Sequence, residues 1–250
     1  SSTSRLFLGQ QVQCTQCHNH PFNQWKQQMF WEFNSFFRQT RSLRRFVEGT
    51  RDIDHAELID QDFAGEASDP SDALVFYELR NGLTRVAYPV FTDGTAIDVS
   101  GYVSDVNRRE ELGQMMLESE NLDKMAVNRM WSMFMGFGFT KPVDDLGPHN
   151  PSSHPELLSK LAAEFRKSSY DLKQLITWIT LSRSYNLAPV LGSNNEIDDP
   201  SIGEMPKFSR FYLRQMSAEQ LYQSLVTATD ATSQGSYEEQ DRQRNQWLQQ

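Results

Sequence analysis

Apolar positions along the chain follow two periods, one helical and one close to strand alternation. Over residues 25–38, Trp25, Met29, Phe30, Phe33, Phe36 and Phe37 recur at helical spacing and predict a helix with a broad aromatic face. An earlier helix starts at Ser4 as N-cap, carries Leu6, Phe7 and Val12, and runs up to the cysteines. Between the two, Asn19-His20-Pro21-Phe22 reads as a turn that Pro21 ends. Residues 41–70 are polar and charged and carry no period. Short apolar runs at 74–79, 85–91 and 96–99, separated by Asn81-Gly82 and Asp93-Gly94, predict a small antiparallel sheet. After Gly101 the helical period returns, with helices expected over 108–118 and 122–137. Further helices open at the capping box Ser153-His154-Pro155-Glu156, at Asp171, and at the capping box Ser217-Ala218-Glu219-Gln220.

The expected fold is mainly α, a helical bundle with a small antiparallel β insertion. Its divisions are a helical region over 1–70, the β insertion over 71–103, a helical bundle over 104–232 and a polar tail over 233–250. A length of 250 residues is enough to bury a core without disulfides. A net charge of −9 argues against nucleic acid as a main partner, because phosphate neutralisation needs a basic face. No run approaches the 18 or so apolar residues that a membrane span requires.

The chemistry concentrates in one pentapeptide. Both cysteines of the chain lie in Cys14-Thr15-Gln16-Cys17-His18, the C-x-x-C-H pattern of c-type haem attachment. Two thiols at this spacing form thioethers with the haem vinyl groups, and the adjoining histidine reaches the iron as proximal ligand. Three alternatives compete with haem c. Cys14, Cys17, His18 and His20 are potential zinc ligands, although structural zinc sites normally add a distant second pair. The C-x-x-C could be a redox dithiol, or two inert buried thiols. The aromatic face of 25–38 is expected to be core first and a haem-pocket wall second. Arg41, Arg44 and Arg45 are expected on a solvated face, with haem propionates as the alternative partner.

A second cluster, Asp144, Asp145, His149 and His154, offers two carboxylates and two imidazoles within one loop. Metal or acid–base chemistry is conceivable there, but the favoured expectation is architectural. Arg129, embedded among apolar residues, is predicted to salt-bridge Asp144 or Asp145, because a buried guanidinium needs a partner.

The segment 7–25, with its Cys14-Thr15-Gln16-Cys17-His18-Asn19-His20-Pro21 core, resembles a planctomycete-type family of secreted, cytochrome-like proteins, domains of unknown function 1549 and 1553. The companion motifs are Ala126-Val127-Asn128-Arg129-Met130-Trp131, Val143-Asp144-Asp145-Leu146-Gly147 and Pro151-Ser152-Ser153-His154-Pro155-Glu156. Leu161-Ala162-Ala163-Glu164-Phe165 and Ser182-Arg183-Ser184-Tyr185 continue the match. The resemblance implies an exported protein without an established activity. In similar proteins the position of Met133 is frequently histidine, which suggests Met133 as sixth ligand to a haem iron held by His18. The expected function is electron transfer by an exported haem c protein, periplasmic or on the cell surface, with an export signal upstream of residue 1. Cys14, Cys17, His18 and Met133 bind the cofactor, and a redox or cell-surface protein is the partner. The alternative is a haem-free structural or interaction module.

Overall fold

The computed structural model describes residues 2–21, 23–65, 68–229, 242 and 244–247. Two compact units divide after Phe211, within the 104–232 stretch expected to be one helical domain.

In the first unit, α1 spans Ser2–Leu8 and ends well before the cysteines. The chain turns there through Gly9 at φ +61°, a conformation that glycine adopts without Cβ strain. Cys14 instead belongs to a 3-10 turn, Gln13–Gln16. Helix α2 covers Gln27–Ser35, shorter than the expected 25–38. Its first amide, from Gln27, donates to the Asn19 side chain at 3.0 Å, so a residue of the cysteine motif serves as a cap from eight positions upstream.

The polar, charged stretch over 41–70, placed in the expected helical region, contains a hairpin. Strand β1 (Thr40–Phe46) pairs antiparallel with β2 (Ile53–Asp60), and almost every residue of both is exposed. With neither face buried, no alternation was selected, and the period-2 signal is missing from the sequence. The second hairpin, β3 (Val75–Glu78) with β4 (Thr84–Ala87), lies inside the expected β region. The third expected strand is reduced to a bridge between Val90 and Ala96. Among the described residues, a mixed arrangement of helices and two small two-stranded antiparallel sheets therefore replaces a bundle with one insertion.

Helix α3 spans Arg108–Glu118, as the sequence predicts, because the Asn107 side chain caps the amides of Arg109 and Glu110. Helix α4 (Glu120–Met135), α5 (Pro155–Lys167) and α6 (Leu172–Thr180) follow. The cap of α5 is His154, whose side chain makes no cap bond, so the Ser153–Glu156 capping box does not form. Asp171 caps α6 as expected, accepting from Lys173 and Gln174. In the second unit, α7 (Ala218–Thr229) has the reciprocal Ser217–Gln220 box. Most of the expected polar tail lies outside the described residues.

The aromatic face of α2 is core. Phe33 and Phe36 pack with Leu8, Phe91 and Leu112, while Phe30 joins Val12 and Trp25. Each such burial is worth roughly 1.5–3 kcal/mol. A polar knot lies alongside. Arg108 is fully buried and donates to the carbonyls of Ser35, Ala73 and Ser100 at 2.9–3.3 Å. Its amide donates to Gln39 Oε1, and Gln39 Nε2 donates to the carbonyls of Gly101 and Val106. Burial, reinforced by the Arg38 charge, lowers the Arg108 pKa to about 10.

Candidate functional site

Cys14 and Cys17 are free, exposed thiols at either end of the 3-10 turn, which excludes the reading of them as inert buried groups. Between them the fully buried Thr15 hydroxyl donates to the Val12 carbonyl at 2.6 Å and anchors the turn from beneath. From the other side, Gln27 Nε2 and Trp31 Nε1 both donate to the Gln16 carbonyl. The turn is thus held rigidly by its backbone while its chemical groups face outward.

His18 is half-buried, and its Nδ1 lies 2.6 Å from the Asn19 carbonyl. A carbonyl accepts only, so Nδ1 is the donor, and in the neutral ring Nε2 is the nitrogen with the lone pair. This is the arrangement by which a metal-binding histidine is usually oriented. Among the described residues, no three His, Cys, Asp or Glu side chains converge as a metal-holding group. Zinc would require that convergence; thioether attachment with one axial nitrogen does not.

The second cluster comes to the same region. Loop 144–149 is pinned to the first segment by Leu146 N donating to Gly9 O at 2.7 Å, and by the Arg5–Asp144 ion pair at 3.3 Å. A Cβ on Gly9 would meet Leu146 Cγ at 2.7 Å, so glycine is needed there for contact as well as conformation. Asp145, buried, accepts from the Gly147 amide at 3.0 Å and pairs with His149 Nε2 at 2.9 Å. Gly147 makes room for this pair, since a Cβ would lie 2.4 Å from His149 Cε1. His149 stacks on His20 at 6.4 Å between ring centroids. Together with Cys14, Arg5 and Gln11 these residues line a cavity of about 410 Å³.

On the other side of the motif, His18 opens onto a hollow of about 330 Å³ with Leu79 and Arg80. It shares Asn19, Gln27 and Leu79 with a larger one of about 710 Å³ lined by Lys26, Tyr77 and Arg85.

Two expected roles are corrected. Arg129 donates to the Leu6 carbonyl at 3.4 Å and pairs with neither aspartate. The buried polar residue of that helix is its neighbour Asn128, which donates to Thr140 Oγ1 and Val143 O at 2.8 Å and accepts from Phe139 N. The sequence marked an Asn-Arg interruption but did not show which of the two faces inward. Met133 is 59% exposed on α4 and lies outside the linings of the cavities beside Cys14 and His18. Asp123, Met125, Val127, Asn128, Trp131 and Met135 are the buried residues of the helix, and Met133 sits two residues, or about 200°, from Trp131. His154 contacts Phe139 and Phe208, and burial lowers its pKa against the opposing pull of Asp198. Arg41 and Arg44 stand exposed on the β1–β2 hairpin, where Arg45 pairs with Glu57.

A turn anchored through its backbone thus displays two thiols and an imidazole in one C-x-x-C-H segment. Residues 108–250, more than half of the chain, match the family model described as protein of unknown function (DUF1553), and the chain belongs to that planctomycete-type family. Residues 1–42 match a second model, protein of unknown function (DUF1549). No curated protein and no solved structure matches the chain.

Proposed function

We propose that the protein is an exported c-type haem protein serving electron transfer, with one haem held by Cys14 and Cys17 and ligated by His18. The observation that carries this reading is the His18 ring, whose Nδ1 is committed to the Asn19 carbonyl and whose Nε2 is left for a metal. Two exposed thiols on one anchored turn suit the two vinyl groups of a haem, and a donor set that does not converge on one point disfavours the zinc alternative. Bound there, haem would supply a one-electron couple. Cys14 and Cys17 would hold it, His18 would bind its iron, and the surrounding residues would set the polarity around it. Met133 supplies no ligand in this proposal. Covalent attachment outside the cytoplasm is what makes the protein an exported one.

The test is expression with an export signal in a host that has haem-attachment machinery. Haem should survive acid–acetone extraction from the wild type and be lost from Cys14→Ala with Cys17→Ala. Equal loss of haem from both proteins would sink the proposal.

A further inference from the structure

The surface beside His18 carries charge of one sign. Two adjoining polar hollows, of about 710 Å³ and about 330 Å³, share Asn19, Gln27 and Leu79, and His18 lines the smaller one. Three exposed cations border them, Lys26 and Arg85 on the larger and Arg80 on the smaller. None of the three forms an ion pair among the described residues. The carboxylates of the flanking elements are Glu32 on α2 and Glu78 on β3, and neither lines the hollows. Lys26 stands at the N-cap of α2 with no acidic residue in the first turn, where the helix dipole disfavours a cation. Its charge therefore weighs against the helix that carries it.

We propose that this surface docks an acidic segment of a partner protein, and that this partner is the one with which the haem exchanges electrons; the second part rests on the haem reading above. On a chain of net charge −9 a cationic patch is local, so an acidic partner is steered to this face and repelled by the rest of the molecule. A run of carboxylates matches cations spread over the start of α2, the β3–β4 turn and β4. The exposed Leu83 and Val86 beside them supply the apolar contact that protein interfaces combine with a charged rim. A small anion would use neither the spread of the cations nor that contact. A partner seated there lies against the hollow that His18 lines, and so beside the residue that ligates the iron.

The experiment has two arms. In the first, a fluorescein-labelled poly-glutamate peptide is titrated with the haem-free chain and followed by fluorescence anisotropy. It should bind at low ionic strength and be released as salt screens the contact. Lys26→Gln, Arg80→Gln and Arg85→Gln together should weaken binding about tenfold, as the loss of three exposed charge pairs implies. Arg41→Gln, Arg44→Gln and Arg51→Gln together remove the same charge from the exposed β1–β2 hairpin and should leave binding unmoved. No binding, or equal weakening by both triple variants, overturns the docking surface. Displacement of the peptide by inorganic phosphate at matched ionic strength overturns it too, in favour of a small-anion site. In the second arm, ferricyanide oxidises the reduced, exported holoprotein, taking one electron from each ferrous haem. The first triple variant should slow this reaction severalfold, and the hairpin variant should not. An unchanged rate overturns the partner's redox role, and a wild type without covalent haem overturns the haem reading and that role with it. The peptide arm decides the docking surface in either case.

Discussion

The Arg108 knot and the Cys14–His18 turn are both polar constructions set against the aromatic core, and they spend their polar groups in opposite ways. Around Arg108 the donors are consumed: guanidinium, backbone amide and the Gln39 amide all point at carbonyls or at each other. Around the turn only the backbone is consumed. Gln16 O and Val12 O are taken, while two thiols and one imidazole nitrogen remain uncommitted. Buried polar groups must be satisfied to avoid a desolvation cost, so a saturated network is a sign of architecture. An anchored backbone with unspent side chains is a sign of chemistry.

Three substitutions would break or sharpen this contrast. Arg108→Met leaves the carbonyls of Ser35, Ala73 and Ser100 without their buried donor. The expected loss is about 3–5 kcal/mol, the range for breaking a buried charged network from one side. Chemical denaturation checks it, and a loss under 1 kcal/mol would remove the knot's claim to hold the fold. Asn128→Ala strands the Phe139 amide and removes one of the bonds to Thr140 Oγ1 and Val143 O, and should cost about 2 kcal/mol, within the penalties for unsatisfied buried groups. It should also loosen loop 139–143, measurable as faster amide exchange at Phe139. The smallest effect belongs to the turn. Cys14→Ser with Cys17→Ser in the haem-free protein should change stability by no more than about 0.5 kcal/mol, as expected for exposed positions. A large loss there would make the cysteines structural and erase the contrast.

What the sequence disclosed follows the range of the interactions involved. The start of α6 was legible because Asp171 caps amides two or three residues away. The start of α2 was not, because its cap comes from Asn19. Hairpin β3–β4 could be expected from its apolar runs on either side of Asn81-Gly82, although only β3 alternates buried and exposed residues; hairpin β1–β2 buries neither face and left no trace. The site divides in the same way. Cys14, Cys17 and His18 are contiguous and declare themselves. Loop 144–154 stood out by composition, yet its meeting with Gly9 and His20 depends on tertiary contact. Met133 was suggested by the family resemblance, in which histidine often holds its position, and α4 leaves it 59% exposed.

The contact of Gly9 with Leu146 also bears on how this protein can be inherited. Gly9 lies in the segment matched by one family model and Leu146 in the segment matched by the other. Each segment supplies half of the Cys14 cavity wall: Arg5, Gln11 and His20 from the first, Asp145 and His149 from the second. A gene that lost either half would encode an open face where the cavity had been, so the two segments are expected to persist as a linked pair rather than as interchangeable modules.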